Sequence, residues 1–223
     1  MKKVYVLFIL TIAAFSVFCG TSFASDIQWG RSYDAGNLMG YEYIQNILND
    51  LGYSSINAKT DYTTNMYWSL PGTTNFRIEA EYAWNANWNE FGYYQNGAKK
   101  KIFRNEIFDG GDTTGAVASE EIAGNFGLYL NNVNNENWYT DSSLNKNSGS
   151  YPQALVYTLD AGSKWLVAWE DTNYCYADRD YQDMVVTVTA TPEPVAAVLF
   201  VVGGGLLATL RFKNKKKSLK EVA

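Results

Sequence analysis

The sequence predicts a mainly β fold, an antiparallel β-sandwich with one short N-terminal helix. Two observations carry that expectation. Short runs rich in aromatic and β-branched residues recur at near-regular spacing, separated by Asn, Gly, Asp and Ser. Only one stretch places apolar residues at helical spacing. That stretch is 37–53, where Leu38, Tyr41, Ile44, Leu48 and Leu51 share a face and Gly52 is placed to end the helix. The strands follow in order. Residues 75–82 alternate with a period of two. Residues 91–94 (Phe-Gly-Tyr-Tyr) and 126–130 (Phe-Gly-Leu-Tyr-Leu) are short aromatic strands, alike enough to suggest structurally related hairpins. Residues 138–139, 154–159, 164–169 and 184–189 complete the set. Trp165 and Trp169 share strand parity, so both should face the core. Lys99, Lys100 and Lys101 read most simply as a solvated turn.

Sorting segments flank this domain. Lys2 and Lys3 precede an apolar run over 4–18, and Ser22 and Ala24 supply the small residues a signal peptidase reads, so cleavage is expected after Ala24. Cys19 ends the apolar run, but Phe18 stands where a lipoprotein signal needs a small residue. At the other end, Pro192-Glu193-Pro194 precedes an uncharged apolar stretch over 195–210, which is followed by the basic run 211–217. Sixteen apolar residues fall slightly short of the ~20 of a typical helical span. The prolines would mark the start of this transmembrane segment, and the basic run would keep the C-terminus in the cytoplasm. The ordered triple of motif, short span and basic end resembles the PEP-CTERM sorting signal. The resemblance implies recognition and cleavage near Pro192, Glu193 and Pro194 by a membrane-embedded exosortase, with release to the cell exterior in bacteria that make extracellular polysaccharide. An ordinary single-pass anchor is the alternative. The expected organisation is a signal peptide over 1–24, a β-sandwich domain over 25–190 and a sorting tail over 191–223.

Composition excludes much chemistry. The chain has no histidine, which removes imidazole general bases, Ser-His-Asp and Cys-His nucleophiles and imidazole metal ligands. Cys19 leaves with the signal peptide, so Cys175 has no intrachain disulfide partner and is expected to be a small, partly buried filler. Without the two sorting segments, ten basic and twenty-one acidic residues remain, a balance near −11. Nucleic acid is not an expected partner of such a domain. Solubility, cation binding and association with neutral glycans suit it.

Seven tryptophans at 29, 68, 84, 88, 138, 165 and 169 can fill a core or stack on sugar rings. Trp84 and Trp88 sit among Asn85, Asn87 and Asn89 in a polar stretch, which makes them the candidates for an exposed glycan-binding platform.

The densest chemistry lies between the last two predicted strands. Glu170, Asp171, Asp178, Asp180 and Asp183 fall around one strand-loop-strand segment. Asp178 and Asp180 would face the same side of an extended backbone, and Asp183 could return to it through a turn. Crowded carboxylates repel unless a cation or an arginine neutralises them. Calcium, a hard ion taking six to eight oxygens, is the natural candidate, although the EF-hand glycine and terminal Glu are absent. A local ion pair with Arg179 and carboxylates capping turn N–H groups are the structural alternatives. Trp169-Glu170-Asp171, followed by Asp178-Arg179-Asp180-Tyr181-Gln182-Asp183 and a closing hydrophobic strand, resembles a domain of unknown function often found in front of PEP-CTERM tails. The likeness is clear over 75–190 and loose over 26–75, and Tyr174-Cys175-Tyr176 stands where glycines are usual. It implies a β-rich exported module with a capacity to bind cations, and supplies no reaction.

The leading expectation is therefore an exported surface or matrix protein associated with extracellular polysaccharide, with calcium at the acidic loop. A carbohydrate-binding module is the alternative. A two-carboxylate glycosidase using Glu79 and Glu81 is chemically conceivable without histidine. Those residues lie in an alternating strand that can present them simply as its solvent face, and no enzyme activity is expected.

Overall fold

The computed structural model describes residues 29–31, 38–70, 72–82, 89–104, 114–132, 134–145, 151–173 and 177–191. The predicted signal peptide, the predicted sorting tail beyond Thr191, including Pro192, Glu193 and Pro194, and Trp84, Trp88 and Cys175 lie outside these residues. Among the described residues no helix is long and apolar enough to cross a membrane.

The chain forms helix α1 (Gly40–Asp50) and strands β1 (Trp68–Ser69), β2 (Thr73–Ala80), β3 (Glu90–Gln95), β4 (Ala98–Arg104) and β5 (Val117–Glu121). Strands β6 (Asn125–Asn131), β7 (Asn137–Tyr139), β8 (Ala154–Thr158), β9 (Lys164–Trp169) and β10 (Met184–Thr191) follow. They make two antiparallel sheets. One runs β1-β6-β3-β4, with β7 also paired to β6, and the other runs β5-β2-β10-β9-β8.

The sheets pack face to face through aromatic contacts. Trp68 meets Trp165 edge-on at 6.2 Å, Phe76 meets Phe91 at 5.9 Å and Phe91 meets Trp169 at 6.3 Å. Trp165, Val167 and Trp169 of β9 all enter this core, so the parity expectation for the two tryptophans holds. The alternate residues Leu166 and Ala168 face the other way and join a second core beneath Ile44 and Leu48 of α1. Strands β8, β9 and β10 are thus covered on both faces, and the fold has three layers. The helix ends as expected: Gly52 at φ 90° lets its N–H reach Asn49 O at 2.9 Å while Tyr53 N–H reaches Leu48 O at 2.7 Å. Its first turn is held by the Glu42 carboxylate, which accepts from Met39 N–H at 2.8 Å.

Three strands differ from expectation. Strand β1 has two residues, too few to show a pattern, and β5 was not anticipated. The lysine run lies in strand β4, and Asn96 and Gly97 make the preceding turn. The lysines suit an edge strand, where charge discourages pairing with another chain. Lys100 reaches Glu120 of β5 at 2.5 Å, linking the edges of the two sheets, while Lys99 lies over the Tyr129 ring at 5.0 Å.

The two Phe-Gly strands prove to be neighbours. In the β3–β6 register Gly92 opposes Tyr129 and Tyr94 opposes Gly127. A Cβ on Gly127 would stand 2.3 Å from the Tyr94 ring, and one on Gly92 would stand 2.7 Å from Tyr129. Each tyrosine therefore lies across the other strand's glycine, a reciprocal pairing that pins the register.

Candidate metal centre

The acidic loop is an excursion from the paired ends of β9 and β10, where Trp169 opposes Met184. All three layers hold it. Gln153, preceding β8, accepts from Glu170 N–H at 3.0 Å and donates its side-chain amide to Thr172 O at 2.6 Å. From the other sheet, Asn132 Nδ2 and Trp138 Nε1 donate to Asp171 O at 2.7 and 2.9 Å. From the helix layer, Gly30 N–H donates to Arg179 O at 3.0 Å, and the Trp29 ring packs edge-on against Tyr181 at 5.5 Å. The approach is close enough to require glycine. A Cβ on Gly30 would stand 1.5 Å from Asp178 O, and one on Gly40, at the start of α1, would stand 2.3 Å from Asp180 O. A side chain at either position would push the helix layer off the loop.

The backbone between the aspartates is not extended. Arg179 and Tyr181 have φ of 64° and 57°, so the chain turns at alternate residues. This corrects the same-side argument from strand parity. Asp178 and Asp180 do converge with Glu170, but left-handed turns bring them there. Tyr181 OH anchors the turn by donating to Pro152 O at 2.9 Å.

The five carboxylates form two triads that share one member. Glu170, Asp178 and Asp180 make one, and Glu170, Asp171 and Asp183 make the other, with the oxygens of each triad within 4.8 Å of one another. Asp178 is exposed and the other four are buried. Glu170 accepts from Thr172 Oγ1 at 2.8 Å and from Arg179 N–H at 2.9 Å. Asp183 accepts from Asp171 N–H at 2.7 Å, and Asp180 accepts from Gln182 N–H at 3.2 Å. Asn89 Nδ2 donates to Asp171 Oδ2 at 3.1 Å. Arg179 turns its guanidinium over the Tyr151 ring, 5.0 Å away.

These hydrogen bonds do not offset the crowding. Burial, followed by the charges of Asp178, Asp180 and Asp171, holds the Glu170 carboxyl well above its usual range. Burial and then the charge of Asp171 do the same to Asp183. Burial is also the main cause at Asp171, pushed up to about 6, and at Asp180, pushed up to about 7. Without a cation the loop therefore keeps protons near neutrality. In the unfolded chain an aspartate releases its proton near 3.8. The folded, metal-free protein thus binds more protons than the unfolded chain between those values. The contribution of these carboxyls to stability should be fully present below about pH 4 and should be lost as pH rises through 6 to 7, by on the order of a few kcal/mol. Urea unfolding in chelator across that window checks the sign; stability that climbs with pH there would contradict it.

The donor set suits a hard cation. All five acidic groups offer oxygen, and two oxygens bound to one ion at 2.3–2.6 Å can lie no more than about 5 Å apart, which matches the spacing within each triad. Asn89 adds an independent sign. It is fully buried, one end of its amide meets Asp171, and its Oδ1 has no hydrogen-bond partner among the described residues. A half-turn of that amide exchanges its nitrogen and oxygen, and would bring the unpartnered oxygen to the carboxylate as a ligand for a cation. The two acidic groups could hold a metal ion of this kind.

Sequence reasoning missed Asn89, the Asn132 and Trp138 clamps and the two close-packed glycines. None carries a local motif, and Asn89 lies 82 residues from its partner Asp171. The other candidates fare differently. Glu79 lies on the outer face of the second sheet, beside Arg77 at 3.4 Å, and accepts from Thr187 Oγ1 at 2.7 Å. Glu81 is buried just past the end of β2. The tryptophans at 68, 138, 165 and 169 are all core residues.

The family described as a domain of unknown function, DUF4114, matches residues 108–191. That span runs from before β5 through β10 and contains the whole acidic loop. No curated protein matches the chain.

Proposed function

We propose that this chain is an exported β-sandwich module of the cell surface or extracellular matrix, whose acidic loop binds calcium and is locked by it. The observation that carries the calcium reading is the convergence of Glu170, Asp171, Asp178, Asp180 and Asp183 in a mostly buried loop clamped by all three layers. Residues 170–171 and 178–183 would supply the carboxylate ligands. A bound dication would replace the protons these groups otherwise hold and would remove their mutual repulsion. Extracellular calcium modules work at dissociation constants of roughly 0.1–1 mM, which suits a site assembled from loop carboxylates outside the cell.

Export rests on the sequence at both ends: the apolar run over 4–18 with its small residues before Ser25, and Pro192-Glu193-Pro194 with the apolar and basic segments behind it. The partners this reading requires are a signal peptidase, an exosortase-type processing enzyme and, transiently, the inner membrane. Extracellular polysaccharide is the surrounding medium with which the released module associates. No catalytic step is part of the reading. Intact mass of the protein from culture medium and from membranes of its host tests the export reading. A secreted form ending between Thr191 and Pro194 is expected. A membrane form that retains Lys217 and Ala223, with none in the medium, would make the tail a plain anchor.

A carbohydrate-binding module is the second reading, and an aromatic cluster favours it. Tyr67, 42% exposed, meets Tyr94 edge-on at 5.9 Å, and Tyr94 meets Tyr139 at 5.1 Å. Trp84 and Trp88 remain the sequence candidates for a stacking platform. Retardation of the protein in polysaccharide gels, lost in Tyr67→Ala or Trp84→Ala, is the outcome this reading requires.

A further inference from the structure

We infer that the acidic loop holds two adjacent calcium ions, bridged by Glu170, with Asn89 as a ligand of the inner one. The inference rests on the calcium reading above and deepens it.

Three observations lead there. First, the five carboxylates do not form one group whose oxygens all lie within 4.8 Å of one another. They divide into two triads that meet only at Glu170. The inner triad, Glu170, Asp171 and Asp183, is wholly buried, while the outer triad opens to solvent through Asp178. Second, the two Glu170 oxygens are held by different donors, one from each end of the loop. Glu170 Oε1 accepts from Thr172 and Oε2 from Arg179 N–H, and each retains lone-pair capacity for an ion. Third, Asn89, whose Oδ1 has no partner among the described residues, meets one triad in particular. Asn89 touches the cluster through Asp171, so its amide faces the inner position. A half-turn of that amide exchanges nitrogen and oxygen in nearly the same outline. It would present Oδ1 to the inner ion where Nδ2 now meets the carboxylate.

Charge favours the same count. One dication among five ionised carboxylates leaves three negative charges in a largely buried loop, whereas two dications leave one. Water completes the outer shell through the opening at Asp178. The inner ion depends on protein oxygens.

Equilibrium dialysis of the full chain against Ca2+ at neutral pH counts the ions directly. Two per wild-type chain are expected. Asp178→Asn, at an exposed position that leaves the fold intact, should lower the count to one at the same calcium concentration. Asn89→Leu should weaken one of the two binding steps roughly tenfold or more and leave the other. One ion per wild-type chain overturns the bridged pair and leaves the calcium reading standing. None overturns both. Two ions retained by Asp178→Asn at unchanged affinity also overturns the proposal, because the outer position would then not use Asp178.

Discussion

Chelating calcium should lower the melting temperature of this protein by roughly 5–10 °C. A ligand that binds only the folded state stabilises it by about 2.7 kcal/mol when present at a hundred times its dissociation constant. In a chain of this size each kcal/mol is worth roughly 2–4 °C. The effect is large because the loop is a structural hub. Asp171 O receives hydrogen bonds from Asn132 and Trp138 of one sheet, Arg179 O receives Gly30 N–H from the helix layer, and Glu170 N–H is held by Gln153. Repulsion among its carboxylates therefore loosens all three layers together. The response should be specific to the site. Asp183→Asn removes a buried ligand while its side-chain oxygen can still accept from Asp171 N–H, so the variant should fold but respond much less to calcium. Thermal melts in calcium and in chelator check both statements. Identical melting temperatures in the two conditions would sink the idea that the loop binds the ion.

Trp169→Ala should be severely damaging, costing about 3–5 kcal/mol. Trp169 is 0% exposed, packs edge-on against Phe91 across the sheet interface and opposes Met184 at the root of the acidic loop. Its removal would leave a cavity in the main core and loosen the strand ends from which Glu170 and Asp183 project. Trp169→Phe should cost far less. The indole N–H is buried without a hydrogen-bond partner among the described residues, so the smaller ring gives up contact area but no hydrogen bond. Urea denaturation of the two variants separates the effects. Equal losses for Ala and Phe would mean that the position is not decided by packing.

The strands that sequence made legible are those whose burial is regular. Residues 75–80 alternate because only one face of β2 is buried; on the other, Arg77 is exposed and Asn75 and Glu79 are partly covered. The runs at 154–157, 165–169 and 184–188 do not alternate, and the physical reason is the third layer: α1 and the segment after it cover their second face. Strand β4 hid as a turn because an edge strand needs little apolar content, and its lysines serve Tyr129 and Glu120. At the site the acidic residues announced themselves by charge density. Their arrangement did not, because it depends on left-handed backbone at Arg179 and Tyr181, which residue type does not disclose. Gly30 and Gly40 gave no signal either. Their need for glycine arises only when a distant loop lies against them.

Hydrogen–deuterium exchange of the full chain, with calcium and with chelator, tests most directly whether the ion locks the layers together. Calcium should slow exchange in residues 177–183 and also in α1, Gly40–Asp50, which carries none of the five carboxylates but rests on the loop through Gly40. Unchanged exchange in both segments at saturating calcium would contradict the proposed metal centre. Protection confined to 177–183 would mean that the ion is bound but does not fasten the helix layer to the sandwich.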